Sequence, residues 1–214
     1  MTEEMDPSKE DLFDQLKSLS TSAIADTKHD GVTVIAPSVQ PVHTACAVVG
    51  TARTVQLDAE ALWAPVETLD EASEGEVIVV DTDECVDEAV WGELLSTYAT
   101  ATGVTGMVTN GAVRDVAGIR EIGFPSFALA RTPRGPSGSE EAETNVQVTV
   151  GDARIEPGDV IVGDESGVVV IERSAVDEVV PAAENIAEME REVERLINEG
   201  KSLGMAFERA GMIE

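Results

Sequence analysis

Twenty residues separate Glu93 from the pair Arg114-Asp115, in a stretch otherwise dominated by apolar side chains. The first lies in Trp91-Gly92-Glu93-Leu94-Leu95, the second closes Asn110-Gly111-Ala112-Val113-Arg114-Asp115. A carboxylate at a helix start and an arginine-aspartate pair on the loop after a strand can hold a divalent cation and an anionic substrate side by side. The unpaired N–H groups of a first helical turn suit a carboxylate, and Gly92 lets a ligand approach the backbone. Arg114 offers a planar fork for a carboxylate or ketone oxygen. Asp115 is a hard oxygen ligand, and Glu93 can hold a metal-bound water, a sparse set that suits Mg²⁺. A ketone oxygen facing both the cation and Arg114 would be polarised and its enolate stabilised. The same residues also read as a loop ion pair and an exposed acid favoured by the helix dipole. Zinc is disfavoured, because no His, Cys or second Asp cluster has the spacing for it.

The elements that must position these groups follow from the apolar pattern. Ser8-Lys9-Glu10-Asp11 predicts a helix start with Leu12, Phe13, Leu16 and Leu19 at helical spacing, and a second short helix is expected over 21–27. Strands are expected near 32–36 and 47–56, and weak helices over Asp58–Trp63 and Glu67–Ala72. Glu76–Asp81 predicts a buried strand, 88–102 a helix with Trp91, Leu94, Leu95 and Tyr98 on one face, and Gly106–Thr109 a strand. Val116–Ile122 reads as a helix closed by Gly123, and Ser126–Ala130 as a further strand. That alternation implies right-handed crossovers and parallel pairing.

Thr132–Glu143, rich in Gly, Pro, Ser and Glu, is too long for a simple turn and reads as an active-site loop or a disordered connection. Beyond it come strands over Val146–Val150, Ala153–Ile155, Val160–Val162 and Val168–Ile171, then a long helix from Ser174 towards Lys201, with Gly200 as its stop. The expected organisation is a disordered segment over 1–7, a single domain over 8–205 and a tail over 206–214.

The 214 residues carry 42 acidic and 14 basic side chains, a net charge of −28 and a pI near 4.1; only 4 of the basic residues are Lys. That field opposes direct nucleic-acid binding. The acids are dispersed along the chain, a pattern of proteins from salt-loving organisms, whose cytosol screens the repulsion. No apolar run is long enough to span a membrane and no signal peptide is visible, so a cytoplasmic protein with reduced Cys46 and Cys85 is expected. His29 and His43 read as structural, Trp91 and Tyr98 as core, Asp164 and Glu165 as turn formers. Arg134 reads as a surface residue within reach of a distal substrate carboxylate.

The run Gly106 to Asp115, followed by Ile119-Arg120-Glu121-Ile122-Gly123-Phe124-Pro125-Ser126-Phe127-Ala128, resembles the RraA-like family. Thr132-Pro133-Arg134-Gly135-Pro136, Pro157-Gly158-Asp159 and Gly163-Asp164-Glu165-Ser166-Gly167-Val168-Val169-Val170 resemble its further motifs, over roughly residues 20–205. That family holds the regulators of ribonuclease E activity and the 4-hydroxy-4-methyl-2-oxoglutarate aldolases. The resemblance implies an α/β fold, a swivelling β/β/α domain with a central mixed sheet, flanking helices and a long C-terminal helix. It also implies a homotrimer or a dimer of trimers with active sites between subunits.

In the aldolase branch an acid, twenty residues and Arg-Asp recur, so the resemblance gives Asp115 to the metal (Mg²⁺ or Mn²⁺) and Arg114 to pyruvate's oxygens. Glu93 would orient metal waters, the amides around Gly92, Leu94 and Leu95 would take the carboxylate, and Glu190 of a neighbouring subunit would complete the site. Many aldolases have Asp where Glu93 stands, and Asn110 stands where Asp is frequent. The implied activity is a class II aldolase or decarboxylase acting on 2-oxo-4-hydroxy dicarboxylates or oxaloacetate. The alternatives are a non-catalytic regulator of a ribonuclease or other partner, and a methyltransferase, for which no Gly-rich cofactor loop is present.

Overall fold

The computed structural model describes residues 7–57, 65–137 and 142–213. In chain order these form α1 (Pro7–Leu16), α2 (Thr21–Ala25), β1 (Val32–Val34), β2 (Gln40–Pro41), β3 (Val48–Gln56), α3 (Pro65–Glu71) and β4 (Glu76–Asp81). There follow β5 (Ala89–Trp91), α4 (Glu93–Thr102), β6 (Gly106–Val113), α5 (Val116–Ile122), β7 (Ser126–Arg131) and β8 (Glu143–Thr144). The chain ends with β9 (Val148–Val150), β10 (Ala153–Ile155), β11 (Val160–Asp164), β12 (Gly167–Ile171), α6 (Val176–Asn198) and α7 (Leu203–Ala210).

One mixed sheet in the order β1-β12-β11-β3-β4-β6-β7-β2 organises the fold. Its centre, β3-β4-β6-β7, is parallel, and the flanking pairs are antiparallel. Both faces of the centre are covered, which is why β4 is a continuous apolar run with no alternation of polar residues. Ile78 and Val80 point to one side, with Trp91, Met107, Ile119 and Phe124 under α3, α4 and α5. Val77 and Val79 point to the other, with Phe127, Val148, Val150 and Ile155 under the β9-β10 hairpin. A third cluster packs α1, α2 and α6 on β11 and β12 through Leu16, Ile24, Val162, Val169 and Val179.

The structure departs from the sequence reading in four places. Residues 88–102 are not one helix: Ala89–Trp91 is a strand that extends the sheet beside β6, and Gly92, with φ −165° and ψ −169°, is extended and ends it. Trp91 is therefore buried in a strand, while Leu94 and Tyr98 are exposed on the helix; Tyr98 donates to Asp70 and is not core. Second, β6 runs through Asn110-Gly111 to Val113, because the Asn110 side chain finds Asp81, Thr82 and the Thr149 carbonyl within the fold. A buried amide with its partners made is tolerated in a central strand. Third, the Thr132–Glu143 loop ends in β8, which pairs with β3. Fourth, the expected tail at 206–214 carries most of α7, capped by Ser202 and packed on α6 through Ala206, Val193 and Leu196. The helix expected over 58–63 lies outside the described residues, as does all of the expected disordered segment except Pro7.

Candidate active site

Arg114 and Asp115 follow the carboxyl end of β6, the position where open parallel sheets place their ligand crevice. The Arg114 N–H donates to the Trp91 carbonyl at 2.9 Å, so the end of β5 is tied to the base of the arginine. Trp91 is fixed in turn: its indole N–H donates to Ser96 Oγ at 2.9 Å, and its ring stacks on Phe124 with centroids 5.9 Å apart. These bonds set Gly92 and the first turn of α4 directly beside Arg114.

Glycines make that approach possible. A Cβ on Gly92 would lie 2.9 Å from Asp115 Oδ2 and 3.1 Å from Arg114 Cγ, and one on Gly135 would lie 2.5 Å from Arg114 Nη1. The guanidinium is thus wedged between two stretches of bare backbone. Its Nε lies 3.4 Å from Asp115 Oδ2, with the two side chains 38% and 47% exposed. Asp115 sits at φ 53°, in the left-handed region that disfavours a side chain. That conformation turns its carboxylate back onto the arginine at the head of α5. On the next turn, a Cβ on Gly118 would collide with the Glu93 carboxylate, which lies over α5 there.

A cavity of about 120 Å³ opens at this point. Arg114, Asp115 and Gly92 supply its polar side; Val66, Leu95 and Pro136 are among its apolar walls. Gly92 caps α4 with no side chain, leaving the first-turn N–H groups of Glu93, Leu94 and Leu95 for a ligand. The arrangement can seat a small carboxylate on backbone donors, with a cation and a carboxylate next to it.

The structure therefore brings together Gly92, Leu94, Leu95, Arg114 and Asp115, with Glu93 alongside. Glu190 is half-buried on α6 and is not among the cavity's lining residues. Arg134 is exposed; its carbonyl accepts from the Ala89 N–H and its own N–H donates to the Thr132 hydroxyl. His29 lies between Gly31 and Glu178, and His43 between the carbonyls of Thr44 and Phe124; neither reaches the cavity. Asp164 takes the N–H and hydroxyl of Thr21 and the N–H of Ser166, so it anchors α2 as well as its turn. Gly118 and Val66 were not singled out from sequence, and Gly135 and Pro136 entered only as part of the Thr132–Pro136 motif, with no site role. A glycine inside a helix, which costs about 1 kcal/mol relative to Ala, was the available signal for Gly118.

Among the described residues no three His, Cys, Asp or Glu side chains gather to hold a metal. The oxygen-only pair Asp115 and Glu93 nevertheless fits Mg²⁺ or Mn²⁺, which take one or two protein carboxylates and fill the remaining positions with water or substrate. The room over Gly92 and Gly118, which a Cβ would fill and which the Asp115 and Glu93 carboxylates occupy, is the observation that supports this fit.

Among the described residues no helix is long and apolar enough to cross a membrane. A family profile described as Aldolase/RraA matches residues 19–170. A Halalkalibacterium halodurans protein provisionally named 4-hydroxy-4-methyl-2-oxoglutarate aldolase is 32% identical over 189 residues, covering 88% of this chain and 90% of its own. A crystal structure of a Pseudomonas syringae pv. tomato protein superposes with a TM-score of 0.82 at 28% identity, over 92% of this chain and 96% of that one. The RNA-processing inhibitor RraA of Thermus thermophilis gives a TM-score of 0.64 at 26% identity, over 71% and 92%. Sheet order, the C-terminal helix and the extent of these matches agree: the chain belongs to the RraA-like family.

Proposed function

We propose that the protein is a divalent-metal-dependent carbon–carbon lyase. It cleaves 4-hydroxy-2-oxo dicarboxylates of the 4-hydroxy-4-methyl-2-oxoglutarate type to pyruvate and a second carbonyl compound, and decarboxylates oxaloacetate. In both reactions the bond beyond C3 breaks and its electron pair passes into the C2–C3 enolate, which takes a proton at C3 to give pyruvate. The demand common to both is stabilisation of charge on the C2 oxygen.

The observation that carries this reading is the Arg114 guanidinium, wedged between Gly92 and Gly135 with Asp115 at 3.4 Å, beside the open amino end of α4. The N–H groups of Glu93, Leu94 and Leu95 bind the substrate's C1 carboxylate. Arg114 then donates to the C2 oxygen as its charge develops, and little reorganisation is needed because its stem is already confined. Asp115 would hold Mg²⁺ or Mn²⁺ with Glu93 at a coordinated water, and the cation when bound supplies Lewis-acid polarisation of the carbonyl.

Leu94 is 79% exposed at the cavity rim, with Val66 and Tyr98 also exposed, an apolar margin suited to cover by an adjoining copy. The assembly proposed is the trimer or dimer of trimers that the family resemblance implies, with Glu190 of one copy reaching the site of the next. The dispersed acid, 42 residues against 14 basic, supports a cytoplasm rich in salt. Pyruvate release from a panel of 4-hydroxy-2-oxo acids and oxaloacetate, with and without chelator in high salt, tests the reading. Arg114→Ala should abolish turnover in a folded assembly; undiminished turnover in that variant, or in chelator, removes the assignment. The likeness to the Thermus thermophilis inhibitor favours one rival, a non-catalytic regulator. A ribonuclease recovered by pull-down from protein without lyase activity would establish it.

A further inference from the structure

Residues 132–137 run beside the cavity, with Pro136 in its wall, and besides a contact of the Thr132 hydroxyl with the Asp87 carbonyl at 3.5 Å three anchors hold them. The Thr132 N–H donates to the Val113 carbonyl at 3.0 Å, and the Arg134 carbonyl accepts from the Ala89 N–H at 2.9 Å. At Ser137 both the backbone N–H and the hydroxyl donate to a single oxygen of Glu88, at 2.7 and 2.6 Å. Between the second and third anchors lie Gly135, against the Arg114 guanidinium, and Pro136, in the cavity wall. Among the described residues the next sheet pairing is Glu143–Thr144 with β3. Without the third anchor, Gly135 and Pro136 would be held from the Arg134 side alone.

Glu88 is suited to this task. The Ser137 hydroxyl first, then its N–H, hold the Glu88 carboxyl below the usual range against a small opposing desolvation, and Arg134 adds to the effect. The group is therefore ionised and accepting at neutral pH, and hydrogen bonds to an ionised acceptor are the strong ones. Glu88 also begins the run that continues through β5 to Gly92, so one short segment carries both the latch and the amino end of α4.

We infer that Glu88 is a positioning residue: through Ser137 it holds Gly135 and Pro136 against Arg114 and so sets the affinity of the cavity for a 2-oxo acid. The affinity clause rests on the lyase reading; the latch itself does not.

The test uses the full chain in high salt with Mg²⁺, as wild type, Glu88→Ala, Glu88→Gln and Ser137→Ala. Pyruvate is titrated calorimetrically, kcat and KM are measured for pyruvate release, and amide exchange is followed at residues 134–137. Losing two hydrogen bonds to a charged acceptor should weaken pyruvate binding in Glu88→Ala about tenfold and raise KM in step, with kcat little changed. Exchange at Gly135 and Ser137 should accelerate. Ser137→Ala keeps the backbone bond and should fall between, and Glu88→Gln, whose amide oxygen still accepts, should recover most of the loss. Because Glu88 is half-buried at the surface and Ser137 is exposed, and neither lies in a core cluster, these variants should fold. Pyruvate affinity within about twofold of wild type in Glu88→Ala, or no recovery in Glu88→Gln, overturns the proposal. If wild type neither binds nor releases pyruvate, the lyase reading fails on its own. The exchange arm then decides the latch: faster exchange in Glu88→Ala upholds it, and unchanged exchange overturns it.

Discussion

Gly92→Ala is the sharpest perturbation this site offers, because it adds a single methyl group. The backbone there is extended, φ −165° and ψ −169°, a conformation open to any residue, so the substitution introduces no backbone strain. The new Cβ would stand 2.9 Å from Asp115 Oδ2 and 3.1 Å from Arg114 Cγ, where ordinary contact begins at 3.4 Å. The carboxylate must therefore retreat by about 0.5 Å and the arginine stem by about 0.3 Å. A misplacement of about 1 Å in a catalytic group costs on the order of a hundredfold in rate, so half of that should cost roughly tenfold, or about 1.4 kcal/mol of barrier. Ala is also a poorer N-cap than Gly, by about 0.5–1 kcal/mol, which in a chain of this size lowers the melting temperature by roughly 1–4 °C. The assay is coupled pyruvate release with Mg²⁺ in high salt, read beside a melting curve. Gly204→Ala is the control, since a Cβ there meets nothing within 4 Å. The reasoning is refuted if Gly92→Ala keeps kcat/KM within about twofold of wild type, because a loop ion pair with no role in turnover would tolerate the shift.

Two further outcomes follow from the same geometry. In Gly118→Ala the new methyl displaces the Glu93 carboxylate, whose side chain is exposed and free to swing away, while the helix gains about 1 kcal/mol of propensity. Melting should hold or rise, and the Mg²⁺ concentration for half-maximal activity should increase; unchanged metal dependence would remove Glu93 from the site. Asp164→Asn tests the anchor of α2. Desolvation raises the Asp164 carboxyl, but the N–H groups of Thr21 and Ser166 and their hydroxyls outweigh it and bring the group below its ordinary value. A lowered folded value stabilises the protein above the unfolded carboxylate range and loses that contribution as pH falls through the folded value. The variant should therefore melt a few degrees lower at about pH 7, the gap closing as pH falls below the ordinary carboxylate range, as melting curves across acid pH would show.

The parts of the fold legible in the sequence are those whose signal is local. The run Val77-Ile78-Val79-Val80 after Gly75 marked β4 to the residue, and the pattern closed by Gly123 did the same for α5. The β5 strand was hidden because three apolar residues next to a helix continue its pattern, and only the extended Gly92 separates them. Asn110-Gly111 has turn composition, yet it lies in a strand because Asp81 and Thr82, far away in sequence, satisfy the amide. For α7, Gly200 masked a capping Ser202 that accepts from the Met205 N–H. The site divides in the same way. Glu93, Arg114 and Asp115 announce themselves by residue type, whereas Gly118 and Gly135 matter only through what lies across from them in space.

That division bears on the choice between lyase and regulator. A surface that only docks a partner protein has no need to confine a guanidinium between two backbones or to hold an aspartate at φ 53° to face it. Left-handed backbone at a non-glycine residue costs on the order of 1–3 kcal/mol and persists where the surroundings enforce it. Around Arg114 and Asp115 the Arg114–Trp91 hydrogen bond, the stacked Trp91 and Phe124, and the Glu88–Ser137 latch fix the segments that border a small cavity. A patch that reads a protein partner gains from reach and side-chain freedom, whereas the Arg114 side chain runs close against Gly92 and Gly135. Confinement of this kind serves a small ligand, whose oxygens must meet one cationic group at fixed geometry, and so it favours chemistry at this site over docking.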